Sequence, residues 1–417
     1  MKTITGCPRL VLVCCLLAGG IFCLTRCINH QNNENKTGKI PEREDFAGSA
    51  SCGNCHRDLY QSHVQTAHFR TSAPASASTV KGSFDTGYNQ FYYDTEDWVA
   101  MKTEGGARYQ VAYHNGTVTQ ARRFDMVFGS GAKGQTSAFW NGDHLFQLPI
   151  TYFTAAAAWS NSPGYPMKPV YNRPITARCM ECHSTFVQTT GADNEETQSF
   201  RKESIIYGID CEKCHGPGGA HVRFQQANPT ARQAAYILNP ARMSRQQQLD
   251  ACALCHGGRL QKTAPSFSFR TGDTLSHFFH VDSIAPDPAG IDLHGNQYGL
   301  LRSSKCFLRS ETMTCSTCHD SHRNERGSLA VFSQRCMSCH TREQHQPGMI
   351  CKLAGQKNLK IDNNCIDCHM PASPSRAIAV FLPGADIPVS AFIRTHYIRI
   401  YPGATKKFIA AKRSGQP

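Results

Sequence analysis

The chain has 417 residues, with 21 Cys, 19 His and 44 Lys+Arg against 31 Asp+Glu, a formal charge of +13. Cysteine at roughly 5% of a long chain is too sparse for a small disulfide-stapled domain and too abundant for an ordinary cytosolic enzyme. With 40% apolar and 18% charged residues, the chain is globular, neither disordered nor polytopic in a membrane, and long enough for two or three domains.

Lys2 and Arg9 precede an apolar run from Leu10 to Leu24, which Arg26 closes. A charged stretch followed by an apolar core of about 15 residues marks export, and it is shorter than the ~20 residues that span a bilayer comfortably. Residues 1–27 are expected to be a signal peptide or a retained membrane anchor, and the protein to be periplasmic or otherwise extracytoplasmic. Lipid attachment at Cys23 or Cys27 is disfavoured, because Phe22 and Arg26 stand where a small residue is needed. The polar residues 28–46 read as a tether.

The first C-x-x-C-H, Cys52-Cys55-His56, lies in a segment expected to run over 47–80, and six more follow. They are Cys179-Cys182-His183, Cys211-Cys214-His215, Cys252-Cys255-His256, Cys315-Cys318-His319, Cys336-Cys339-His340 and Cys365-Cys368-His369. Chance placement gives roughly 0.05 such patterns, and the pattern reads as covalent c-type haem attachment. Two thiols three positions apart reach the two vinyl groups of one porphyrin, and the adjacent imidazole becomes an iron ligand. A redox C-x-x-C or a zinc ribbon demands no histidine after every pair. Seven covalent haems c and their iron are therefore expected. Cys306 and Cys351 remain, either paired in an oxidising compartment or as two free thiols.

Residues 81–175 carry no cysteine. Tyr109 to Tyr113 alternates, Asn115-Gly116 is a preferred type I′ pair, and Thr117 to Phe124 returns as a β-rich run. Trp140-Asn141-Gly142-Asp143, leading into Leu145 to Leu148, marks a second hairpin. This span reads as a small haem-free antiparallel β module, inserted into a mostly α and coil fold organised by haem. Residues 176–417 read as a six-haem cytochrome domain of short helices and Gly/Pro loops, with porphyrin replacing much of the apolar core.

Seven proximal histidines leave twelve others, enough for a second axial ligand on every iron. If every iron has one, the protein is an electron carrier; a vacant position permits small-molecule chemistry. His68, His221 and His322 follow attachment sites too closely to fold under their own haem, but can reach a neighbouring one. His30 and His114 read as solvated, while His63, His144, His277 and His280 are open. Met180, Met337 and Met370 are poorly placed competitors.

The runs SCGNCHRDLYQSHVQTAH, YGIDCEKCHGPGGAH, TCSTCHDSH and NCIDCHMP resemble multihaem cytochromes c related to the tetrahaem electron shuttle of ammonia oxidisers. That superfamily includes hydroxylamine oxidoreductase, pentahaem nitrite reductase and octahaem tetrathionate reductase. The resemblance implies His68, His221 and His322 as distal ligands, and His396, His294 and His345 as further ones. No C-x-x-C-K catalytic motif is present, and no residue matches the cross-linking tyrosine of hydroxylamine oxidoreductase. The resemblance thus implies a fold and haem ligation rather than a particular catalysis.

Each ferric haem with two propionates lowers the net charge by about one, bringing the oxidised holoprotein to roughly +6 and the reduced one to about −1. Arg178, Lys213, Arg259, Arg302, Arg323 and Arg335 are candidates for propionate pairing. No basic run interleaved with aromatics points to nucleic acid. The expected function is single-electron transfer through mostly bis-histidine haems in an extracytoplasmic respiratory chain, with redox partner proteins including a membrane quinol oxidase module. An oxidoreductase of a small nitrogen or sulfur compound at one five-coordinate haem, and a structural redox subunit of a larger complex, are the alternatives.

Overall fold

The structure, a computed structural model, describes residues 40–190, 198–281, 291–292, 294–340, 351, 353 and 364–414. The export segment, His30 and His345 lie outside the described residues. About 29% of the chain is helix and 26% strand, which corrects the expectation of a mostly α and coil fold. The strands are not confined to the haem-free module.

In chain order they are β1 (Ser72–Pro74), β2 (Gln90–Tyr92), β3 (Asp97–Glu104), β4 (Ala107–His114), β5 (Thr117–Arg123), β6 (Met126–Phe128), β7 (Gly134–Asn141) and β8 (His144–Gln147), then β9 (Ile150–Phe153), β10 (Ala158–Asn161), β11 (Ser184–Thr190) and β12 (Ser199–Tyr207). β2 to β5 form a four-stranded antiparallel sheet in sequence order. Asn115 and Gly116 both adopt positive φ, 49° and 77°, as a type I′ turn requires. The larger sheet has eight strands in the order β1-β6-β7-β8-β12-β11, with β9 on β7 and β10 on β9. Its strand β11 begins directly after the second C-x-x-C-H, and β12 returns antiparallel to it. Their β-branched and aromatic residues suit a sheet better than a haem-bearing coil.

β6 and the middle of β7 are buried on both faces, in keeping with the unbroken apolar run of β6. Met126, Phe128 and Ala138 point to one core, where they meet Ala177 and Met180 of the helix Ala177–His183. Val127 and Phe139 point to the other, against Phe91, Val99, Met101 and Ala112 of the smaller sheet. Gln110, fully buried there, is satisfied by donating to the Ile150 carbonyl at 2.7 Å and accepting from its N–H at 3.2 Å. One face of the sheet thus seats the second attachment motif directly. Truncating Met180 to alanine, where nothing can collapse into the gap, would cost about 2–5 kcal/mol and loosen that seat.

A third core surrounds the helix Arg245–His256. Ser244 opens it through a capping box with Gln247, and Leu249, Ala253 and Leu254 pack on Leu275, Phe278, Tyr298 and Leu301. Phe46, at the end of the polar tether segment, stacks on Phe186 with ring centroids 4.9 Å apart. A hairpin of Ala372–Val380 and Val389–Arg394 and a helix Pro402–Arg413 close the chain. Among the described residues, no helix is long and apolar enough to cross a membrane.

Candidate haem-binding site

Each C-x-x-C-H sits on a single helical turn. The histidine N–H donates to the carbonyl of the first cysteine four residues back, at 2.8 Å for His56, 3.0 Å for His319 and His340, and 3.1 Å for His369. Positions i, i+3 and i+4 of such a turn share one face, so both thiols and the imidazole serve one planar group.

The imidazoles are oriented from behind. The Nδ1 atom of His215 faces the Leu238 carbonyl at 2.9 Å, that of His369 the Arg399 carbonyl at 3.1 Å, and that of His183 the Thr71 hydroxyl at 3.0 Å. His256 instead faces a side-chain amide, Gln297 Oε1, at 3.0 Å. Donation through Nδ1–H leaves Nε2 with its lone pair free for iron. Burial, the largest cause at each, lowers the pKa of His183, His215, His256, His319 and His369. They are therefore neutral near pH 7, the form that can ligate.

Three of these proximal rings face a second histidine. His256 and His68 have ring centroids 6.1 Å apart with planes at 71°, His215 and His322 6.1 Å at 30°, and His319 and His396 6.1 Å at 27°. Two imidazoles bound through Nε2 on opposite sides of one metal, with bonds of about 2.0 Å, put their centroids roughly 6 Å apart. The gaps therefore fit one iron each. Burial, then the facing histidine, takes both His68 and His396 down to about 4. His294 lies close enough to His183 to lower its pKa further, after burial.

His221 turns Nδ1 to the Ala235 carbonyl at 2.8 Å. Its helix, Gly219–Ala227, packs so tightly on the segment before the first motif that a Cβ on Gly219 would meet the Asp45 carbonyl at 2.7 Å. His63 is buried, with Nε2 turned to the Ile209 carbonyl at 3.1 Å and Nδ1 to that of Ser321 at 3.4 Å. Its iron-binding atom is thereby occupied. His144 faces the Gln198 carbonyl, His114 pairs with Asp97 at 2.9 Å, and His277 and His280 are exposed. Met180 is fully buried in the sheet core. Cys306 and Cys351 are both free thiols.

The motifs are clipped together. Cys52 and Cys211 are in side-chain contact, as are Cys182 and Cys255, Cys252 and Cys315, and Cys336 and Cys365. Cys214 lies near Cys252, and Cys318 near Cys339. Glu212, inside the third motif and buried, accepts from the N–H groups of Ala47 and Gly48 at 2.8 Å and of Gly218 at 2.6 Å. It thereby fastens the first motif to the third. Glu181, inside the second, accepts from Phe267 N–H at 2.7 Å, while Arg178 donates to the Leu254 carbonyl at 2.6 Å. Arg335 joins the fifth and sixth motifs through the Cys318 carbonyl at 2.8 Å and a bidentate pair with Glu325. Three of the arginines considered for propionate pairing hold protein partners, Arg178 and Arg335 as above and Arg323 with Asp320 at 3.3 Å. Sequence reasoning did not single out Glu181, Glu212, Thr71 or Gln297. An acid between the two cysteines of a motif was the available signal for the first two.

Among the described residues, no group of three or more His, Cys, Asp or Glu converges on a bare metal ion. The histidines come as facing pairs, as haem requires and a zinc ribbon does not. A family model described as cytochrome c554 and c-prime matches residues 155–216 and 314–382, stretches that hold five of the seven motifs. The chain is similar to the C-type polyheme cytochrome OmcC of Geobacter sulfurreducens, 26% identical over 174 residues, which is 37% of this chain and 21% of that protein. It therefore spans about a fifth of that relative. Its fold is like that in the crystal structure of the outer cell wall cytochrome OcwA, with a TM-score of 0.53 over 87% of this chain and 81% of the other at 16% identity. Together with the seven motifs, these matches support a multihaem c-type cytochrome with covalently bound haem c and its iron.

Proposed function

We propose that the protein is a heptahaem cytochrome, exported from the cytoplasm, that passes single electrons between a membrane quinol oxidase module and an acceptor outside the membrane. The observation that carries this is the repeated 6.1 Å spacing of facing histidine rings, which fits six-coordinate iron closed to small ligands. Bound haem supplies one-electron ferric/ferrous chemistry; the chain supplies ligands, burial and order. His68, His322 and His396 are assigned to the motifs of His256, His215 and His319. His294 is assigned to that of His183 on proximity, and His221 to that of His56 on the packing of its helix. His345 is kept as a distal ligand by resemblance alone. Kinship with the hydroxylamine oxidoreductase and nitrite reductase superfamily belongs to the same reading and rests on the G-P-G-x-x-H and C-H-x-x-H runs.

Neighbouring thiols give an order. The first motif adjoins the third, the third the fourth, the fourth the fifth, the fifth the sixth and the sixth the seventh. Cys55 of the first motif, at one end of this line, and Cys339 of the sixth, next to its other end, are exposed, giving redox partners two surface points at which to meet it. Low-temperature EPR with haem counting by intact mass tests the proposal. Seven haems and an essentially low-spin ferric spectrum are expected. A substantial high-spin signal would overturn the all-six-coordinate reading in favour of an oxidoreductase with an open iron.

A further inference from the structure

The fourth motif holds a special place in this order. Cys252 touches Cys315 of the fifth motif and lies near Cys214 of the third, while Cys255 touches Cys182 of the second. Three motifs therefore converge on it, and the second joins the line there as a side branch. Its proximal ligand, His256, is also the one whose Nδ1 faces a side-chain amide, where His215 and His369 face backbone carbonyls.

We infer that Gln297 is the residue that sets the reduction potential at this junction, acting through His256. The inference rests on the proposed electron-transfer function. A backbone carbonyl behind an imidazole is fixed by the fold, whereas a side chain there can be exchanged for a stronger or weaker acceptor. The stronger the acceptor behind Nδ1–H, the more electron density reaches Nε2, and the more the ferric state is favoured over the ferrous.

Gln297 is built to hold this contact. It opens the helix Gln297–Arg302. The next residue, Tyr298, is buried against the core of the helix Arg245–His256 and accepts at its hydroxyl from Gln246 at 3.3 Å. Just ahead of it, the Gly295 carbonyl accepts from the Gly258 N–H at 2.8 Å. The two helices are thereby joined at both ends of the segment that carries the amide.

Gln297 is a positioning residue, and its test is a potential. Haem-loaded protein is titrated by optical and EPR potentiometry as the parent, Gln297→Glu and Gln297→Leu. The glutamate variant is expected to shift a single one-electron component, one seventh of the haem, to lower potential by at least tenfold in its reduction equilibrium, 59 mV for one electron. The leucine variant should shift the same component the other way, with unchanged haem count and low-spin spectrum. Titrations of both variants superimposable on the parent would overturn the role of Gln297 alone. A purified protein with no haem mass on the peptide of Cys252 and Cys255 would overturn both this inference and the functional reading beneath it. If the leucine variant does not fold, the isosteric glutamate variant decides the matter.

Discussion

The imidazole planes of His68 and His256 cross at 71°, whereas those of His319 and His396, at the same 6.1 Å separation, lie 27° apart. Crossed axial planes leave the iron d orbitals more nearly degenerate and give a strongly anisotropic low-spin signal; near-parallel planes give an ordinary rhombic one. His68→Ala is therefore expected to remove the anisotropic component and convert one haem to high spin. His396→Ala should remove a rhombic component instead. The same pattern of loss in both variants would contradict the ligand pairs.

Glu212 is buried and accepts three backbone N–H groups from two segments on either side of its own motif. Hydrogen bonds to a charged acceptor contribute about 1.5–3 kcal/mol each, and donors left unpaired cost more. Glu212→Ala should lower the unfolding free energy of the holoprotein by about 3 kcal/mol or more, read as a shifted denaturant midpoint. Glu212→Gln, which keeps the shape, should lose less than the alanine variant. The haem count should stay at seven in both.

Acid stability should pass through Glu325. The Arg335 guanidinium beside it holds its carboxyl at about 2, well below the usual carboxylate range. A depressed folded-state pKa contributes stability that is fully present above the unfolded value, near 4.3, and is lost as pH falls towards about 2. Denaturant midpoints measured across that window should decline with acid in the parent. The decline should be shallower in Glu325→Gln, whose stability at neutral pH starts lower. Parallel curves would remove Glu325 from the account.

The β4–β5 turn offers a test confined to the scaffold. Gly116 sits at φ 77° with no neighbouring atom within 4 Å of a Cβ placed there, so alanine meets only backbone strain. Gly116→Ala should cost about 1 kcal/mol, seen as a lower thermal midpoint, with haem spectra and potentials unchanged. A shifted haem potential would instead tie the small sheet to the redox chain.

The attachment motifs and both turn pairs were legible because each is a local pattern: a thiol spacing of one helical turn, or a dipeptide that tolerates positive φ. The mostly α reading failed over 184–207, where Thr185-Phe186-Val187 and Ile205-Ile206 carry a strand signal that was absorbed into the haem region around it. Some of the helices that bear the motifs are short, five residues for Cys211–His215 and seven for Ala177–His183, against twelve for Arg245–His256. His68 and His256 are nearly two hundred residues apart, and only chain packing brings such rings together; proximity in sequence could suggest a reach, not a partner. Gln297 carries no motif at all. Its position depends on how one helix is docked against another.

The thiol contacts that order the haems also constrain how the protein is made. Cys52 lies against Cys211, and Cys336 against Cys365, so a chain that closed before modification would bring sulfurs of different motifs within reach of one another. An oxidant such as a disulfide carrier in an oxidising compartment would take two electrons and two protons from such a thiol pair and leave a disulfide that occupies the attachment points. Thioether formation ahead of tertiary closure would keep these sulfurs from pairing with one another. Maturation and folding would then be coupled, and protein made under haem limitation is expected to carry disulfides between motifs, read by mass analysis without reduction, rather than to persist as an empty cytochrome.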